Sequence, residues 1–222
     1  MAVSANRDEI EIKLRVQDIG AIRKLLKQFR AKEIIPRTFE SNTLYDTPRQ
    51  NLRRQGRIIR IRIEEPASGP GRGRSNEGPP AILTYKGPSD LNRKTQNSAR
   101  NSKIRSHFKI KTEIELSVSR ANEMAEILGA LGLHPTFQYE KYRTTYALPG
   151  VHELKIELDE TPVGIYIELE GPMPDIDRAA LLLGYREKDY IRQSYGALYL
   201  ADCRRLRRKP SNMLFPPTKK SH

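Results

Sequence analysis

Residues 9–13 run Glu-Ile-Glu-Ile-Lys, five positions in strict alternation. Successive side chains of a β-strand point to opposite faces, so Ile10 and Ile12 share one face while Glu9, Glu11 and Lys13 share the other. Carboxylates two residues apart lie about 7 Å from each other at roughly 3.3–3.4 Å per residue. They repel unless a counter-ion stands between them. What that charged face looks onto decides the fold.

The same period of two recurs through the first 170 residues and predicts strands at 8–16, 33–48, 57–64, 81–87, 107–118, 135–148, 152–161 and 163–171. Pro36 marks the second strand as an edge or a bulge. Two helices interrupt the series. Asp18 can cap the first, whose stripe is Ile19, Ile22, Leu25, Leu26 and Phe29; the second carries Met124, Ile127, Leu128 and Leu131 on its apolar side. The order β–α–β–β–β–β–α–β–β–β is that of an α+β, β-dominated protein. After residue 172 the spacing turns helical, over 175–184 and 189–202.

Composition narrows the class. The 222 residues suffice for one domain with its own core, and 37% apolar with 30% charged residues is too rich in Ile, Leu and Tyr for wholesale disorder. Cys203 is the one cysteine, which excludes an intramolecular disulfide and a cysteine-rich metal site and points to a cytoplasmic protein. No long apolar run supports a signal peptide or a membrane partner. The net charge of +13 is concentrated. Residues 66–106 hold eight Lys/Arg against Glu77 and Asp90, and residues 203–222 hold seven and no acid, leaving the rest neutral. Flexible connections are expected at about 65–80 and 88–106, and a basic, disordered tail at 204–222. Nucleic acid is a candidate partner only through that loop and tail.

Collected across strands, the charged faces form a set. Acidic pairs occur at Glu9/Glu11, Glu113/Glu115, Glu157/Asp159 and Glu168/Glu170, and basic pairs at Arg60/Arg62, Lys109/Lys111 and Lys141/Arg143, with Lys13, Lys86 and Lys155 as single additions. A wet sheet face explains any one strand. It explains the set less well, because like charges repeat two residues apart. If the sheet closes into a barrel, the charges line a wet interior that must hold counter-ions. Clustered carboxylates suit hard cations such as Mg²⁺ or Mn²⁺, and paired Lys and Arg suit phosphate oxygens.

The Glu9–Lys13 stretch resembles the ExExK signature of the CYTH superfamily, the triphosphate tunnel metalloenzymes. The resemblance continues in order through "LYDTP" (44–48), "IRIR" (59–62), "LTYKGP" (83–88), "KTEIEL" (111–116), "EKYRTTY" (140–146), "LDETPVGIYIELEG" (158–171) and "QSYGALYL" (193–200). It covers roughly residues 7–201 and makes 1–203 one tunnel domain. It implies a closed eight-stranded antiparallel barrel, helices packed outside, that binds a small-molecule triphosphate with divalent metal. By the same resemblance Glu9, Glu11, Asp159, Glu168 and Glu170 are implied metal ligands. Lys13, Arg60, Arg62, Lys86, Lys141 and Arg143 are implied phosphate holders, with Lys13 open to a catalytic role as well. Lys109, Lys111, Lys155 and Glu157 are tunnel-wall positions without an assigned role. Glu113 and Glu115 either bind metal or balance the cationic walls.

The expected function is a metal-dependent triphosphatase acting on inorganic triphosphate, thiamine triphosphate or a nucleoside triphosphate. A class IV adenylyl cyclase making cyclic AMP and pyrophosphate would use the same tunnel. A non-catalytic phosphate- or RNA-binding module is the reading from another class. The four histidines show no ligand spacing, "GPGRGR" lacks the ending of a Walker loop, and Ser194 lacks a nucleophile elbow, so Ser194 and Tyr195 are expected to pack a terminal helix. The sequence sets no oligomeric state.

Overall fold

The computed structural model describes residues 8–67, 79–89 and 107–217. Eight strands, β1 (Asp8–Val16), β2 (Lys32–Asp46), β3 (Ile58–Pro66), β4 (Ala81–Ser89), β5 (Lys109–Val118), β6 (His134–Leu148), β7 (Val151–Thr161) and β8 (Gly164–Glu170), close into one antiparallel barrel. Around the barrel the order is β1-β5-β4-β3-β2-β6-β7-β8. Every strand therefore has two neighbours, and no edge is left open. Pro36 sits where the β2–β6 register shifts, between Ile35 and Thr38. It occupies a bulge in the stretch of β2 before Thr38, where the strand pairs with β6 and not yet with β3, so both expectations meet there.

The apolar faces of the strands point outward and are covered by helices. Beneath α1 (Ile19–Gln28) and α4 (Met173–Leu182), Ile12 and Leu14 of β1 pack with Ile156 and Leu158 of β7 and Ile167 and Leu169 of β8. Ile22 and Leu26 reach this core from α1, and Ile176, Ala179 and Ala180 from α4. Burial of such side chains stabilises the fold by roughly 1.5–3 kcal/mol each. A smaller core of Tyr45, Ile61 and Ala81 lies under Ala121 and Leu128 of α3 (Ala121–Ala130). Only part of the apolar stripe expected for α3 is used, because Ile127 and Leu131 are exposed.

Local chemistry fixes the ends. Asp18 caps α1 by accepting from the Gly20 and Ala21 amides, at 2.8 and 3.1 Å. Asp46, within the "LYDTP" stretch, accepts from the amides of Thr47, Leu52 and Arg53. It thereby pins the one-turn helix α2 (Asn51–Arg54) between β2 and β3. Gly171 ends β8 at φ +152°, where an added Cβ would lie 2.6 Å from the Glu153 carbonyl oxygen. A glycine is required there because the β7 backbone at Glu153 and Leu154 runs so close.

Two expectations change near the C-terminus. The helix expected over 189–202 begins only at Tyr195, as α5 (Tyr195–Arg205), because Ile191 is exchanging backbone hydrogen bonds with Lys13 and extends the wall of β1. Part of the segment expected as a disordered tail is also docked. Met213 is buried and exchanges backbone bonds with Gln138 and Glu140 of β6, and the Phe215 amide donates to Glu140 Oε2 at 2.9 Å. The loops expected to be flexible fall largely at 68–78 and 90–106, and the tail's end at 218–222; all lie outside the described residues.

Candidate active site

The inward faces surround a cavity of about 180 Å³ walled mainly by charged side chains, with Leu44, Ile58, Phe137, Tyr139 and Tyr195 among its uncharged lining. Four of the five expected metal ligands, Glu9, Glu11, Glu168 and Glu170, line it, as do all six expected phosphate holders. Among the wall positions without an assigned role, Lys109, Glu113, Glu115, Lys155 and Glu157 also line it. Lys111 and Asp159 do not. Lys111 donates from Nζ to the Gly56 carbonyl at 3.1 Å. Asp159 is wholly buried behind the wall, where its carboxylate accepts from Lys141 Nζ at 3.0 Å, Arg143 Nε at 2.7 Å and the Tyr195 hydroxyl at 2.6 Å.

Strand register decides which charges meet. Glu11 lies opposite Lys109 on β5 and Glu170 on β8, and Lys13 lies opposite Glu168. The buried Lys13 ammonium consequently bridges Glu11 Oε1 at 2.8 Å and Glu168 Oε1 at 2.7 Å, while Lys109 also pairs with Glu11. Burial opposes the ionisation of Glu11, but Lys109, Lys13 and Lys86 outweigh it and hold its carboxyl well below the usual range. Glu9 has less help. Burial and the neighbouring Glu11 raise it to about 8, although Lys86 Nζ stands 2.7 Å from both of its oxygens. Lys86 also reaches Glu113 at 3.2 Å, and Glu115 accepts from Thr84 at 2.9 Å beside Arg60 and Arg62. Both of these glutamates thus stand in contact with cations of the wall. Lys155 and Glu170 pair at 3.1 Å in a more exposed position.

The opposite wall is organised by Arg143, whose guanidinium contacts Glu157, Asp159 and Glu168 together. Burial raises Glu157 to about 8 despite Arg143, with Glu168 adding to the rise. Arg60 donates to the Tyr139 hydroxyl and to Thr84 Oγ1, each at 3.1 Å. Glu40, Tyr139 and Thr84 are not singled out by the sequence, and Tyr195 is expected only to pack a terminal helix. Glu40 is buried within 3.4–3.8 Å of Lys141, Arg143 and Arg62. Those cations overcome the burial and lower its carboxyl to about 2. Glu40, Asn42 and Leu44 alternate along β2, so period-two counting of single charges would have found Glu40. Tyr195 arrives from a different part of the chain and had no such signal. It packs in the C-terminal core as expected, and its ring also stands 5.2 Å from Lys13 Nζ and 5.4 Å from Lys141 Nζ. Ser194 caps α5 by accepting from the Ala197 amide.

The CYTH domain family model matches residues 7–195. The chain belongs to the CYTH domain family. Among solved structures, a proposed adenylate cyclase from Vibrio parahaemolyticus superposes with a TM-score of 0.67 at 18% identity, covering 87% of this chain and 98% of that one. The PH1819 protein of Pyrococcus horikoshii gives 0.63 at 21% identity, covering 87% and 99%. HpAC1 of Hippeastrum, a proposed adenylyl cyclase with a dominant triphosphatase activity, gives 0.54 at 18% identity, covering 87% and 96%. At these identities the likeness shows a shared fold. No curated protein matches the chain in sequence.

The CYTH match ends at Tyr195, so most of α5 and the docked segment after it lie beyond the family domain. Within that domain the carboxylates are turned toward ammonium and guanidinium groups, and no group of three or more His, Cys, Asp or Glu stands in metal-holding geometry among the described residues. The donor chemistry nonetheless fits a divalent cation. Glu9 and Glu11 share one face and repel, and the raised Glu9 carboxyl marks a buried position where positive charge is still wanted. All of these donors are hard oxygens, the preference of Mg²⁺ and Mn²⁺. Among the described residues no helix is long and apolar enough to cross a membrane.

Proposed function

We propose that this CYTH protein is a divalent-metal-dependent triphosphatase that binds the triphosphate chain of a small molecule inside the barrel. The observation that carries the reading is the cavity inside the barrel, with Arg60, Arg62, Lys86, Lys141 and Arg143 lining it together with Glu9, Glu11 and Glu168. A polyanion accompanied by cations suits both the basic and the acidic side chains of this wall.

Glu9 and Glu11, with Glu168 and Glu170 from the neighbouring strand, are the residues that would hold Mg²⁺ or Mn²⁺. The chemistry a bound divalent cation supplies is neutralisation of phosphate charge and activation of a water. Lys13, which sits between Glu11 and Glu168, would reach the same phosphate. Lys141, Arg143 and Arg60 hold the chain extended and offset charge that develops on the bridging and terminal oxygens. Asp159 and Tyr195 orient Lys141 and Arg143 from behind the wall. No side-chain nucleophile is needed.

Hydrolysis is preferred over cyclisation because it asks only for a water, whereas a cyclase must also align a ribose hydroxyl on the α-phosphorus. The dominant triphosphatase activity of HpAC1 supports the same choice. Incubation with Mg²⁺ or Mn²⁺ and ATP, tripolyphosphate or thiamine triphosphate, reading phosphate, pyrophosphate and cyclic nucleotide together, tests it. Orthophosphate is the expected product. Cyclic AMP as the main product of ATP would overturn it.

A further inference from the structure

The seam between β1 and β5 is short. Only residues 8–11 of β1 pair with β5, and Lys13 exchanges its backbone bonds with Ile191 instead. Between the start of β5 and the segment 190–194 the wall parts. A hollow of about 610 Å³ opens there beside the tunnel, with which it shares Ile58, Lys109 and Ser194. Phe108, Ile110 and Tyr190 give it apolar sides, the rings of Phe108 and Tyr190 standing 6.0 Å apart. Lys109, Lys111 and Arg192 give it cations, and no carboxylate is among the described residues that line it.

Lys111 is the decisive residue. It is 9% exposed, and among the described residues its Nζ makes one hydrogen bond, to the Gly56 carbonyl at 3.1 Å, and no ion pair. An ammonium carries three N–H donors, so two remain for a ligand. Lys109, by contrast, is already paired with Glu11. Burial, Lys109 and Lys86 together hold the Lys111 ammonium below the usual lysine range, as befits a buried cation short of counter-charge. The volume of the hollow lies within the span of small-molecule sites, about 300–1,000 Å³.

We infer that the hollow is a second ligand site, for a small organic anion whose phosphate monoester or carboxylate group meets Lys111 and Arg192 while its apolar body lies along Phe108, Ile110 and Tyr190. An uncharged ligand would leave the buried ammonium without counter-charge, and inorganic phosphate would leave the apolar sides uncovered. The inference goes beyond the triphosphate reading, because Lys111, Phe108 and Ile110 line the hollow and not the tunnel.

The test titrates the full chain by calorimetry with hexyl phosphate, hexanoate, orthophosphate and hexanol, each with and without saturating tripolyphosphate. Hexyl phosphate or hexanoate should bind about tenfold more tightly than orthophosphate and hexanol, and tripolyphosphate should leave that binding in place. Lys111→Gln should weaken it about tenfold while changing tripolyphosphate affinity less than about twofold. Arg192 is exposed, so Arg192→Gln keeps the test decisive where Lys111→Gln fails to fold, and it should weaken the same binding about threefold. No binding of either hexyl anion, orthophosphate or hexanol binding just as tightly, displacement by tripolyphosphate, or unaltered affinity in the folded variants overturns the inference. Binding of one hexyl anion and not the other supports it and names the headgroup.

Discussion

The Tyr195 hydroxyl donates to Asp159 Oδ2 at 2.6 Å, with both side chains buried, and so ties the helix after the barrel to the wall that carries Lys141 and Arg143. Tyr195→Phe leaves Asp159 with its two cationic donors and should cost about 1–2 kcal/mol in urea unfolding, because one buried hydrogen bond is lost. Asp159→Asn strips the charge that Lys141 and Arg143 share. It should cost more, roughly 3–5 kcal/mol, and added Mg²⁺ should not restore the difference. A difference that widens with added Mg²⁺ would mean that Asp159 is a ligand and not an anchor.

Glu9→Gln and Glu11→Gln each keep the shape of the side chain and remove its charge. Metal-dependent phosphate release should fall by a factor of about a hundred or more in each, with the circular dichroism spectrum unchanged. Activity within twofold of the unsubstituted protein in both variants would remove these two residues from the metal site.

Glu157 predicts a pH dependence of the metal-free protein. Its folded pKa of about 8 lies above the unfolded carboxylate value, so the folded state binds the proton more tightly. That contribution is fully present below the unfolded pKa and is lost as pH rises through about 8. Glu40, held at about 2, contributes constantly across the same window. The melting temperature without metal should therefore drop by several degrees between pH 5 and pH 8. Glu9, also raised to about 8, contributes in the same direction, so Glu157→Gln should reduce the slope without abolishing it, and an unchanged slope in that variant would place the titration elsewhere.

Met213→Ala opens space where the tail docks on β6 and should cost about 2–5 kcal/mol, read as a lower melting temperature. Turnover per folded molecule should hold within about twofold, since Met213 is not among the side chains that line the cavity. A tail that carried the main activity, as in a phosphate- or RNA-binding module, would show the opposite pattern: lost function on removal of residues 206–222 and little response to Glu9→Gln.

Much of this protein is legible in its sequence because the strand period is local. Alternation in "EIEIK" already placed Ile12 in the outer core and Glu9, Glu11 and Lys13 together on the opposite face, and the same count located each of the eight strands. The helix cap at Asp18 and the bulge at Pro36 are local in the same sense. Partnership is not local. Asp159 and Glu168 look alike in sequence, each an acid on an alternating strand, yet one lines the cavity and the other is sealed behind it by a tyrosine 36 residues further on. Lys111 likewise shares its face pattern with Lys109 but bonds to the Gly56 carbonyl outside the tunnel wall. The tail gave no periodic signal because Met213 docks as a single bridging residue and not as an amphipathic element. Sequence determined which side chains share a face; closure of the barrel and the register of its strands decided which charges touch, because those distances are set by residues far apart in the chain.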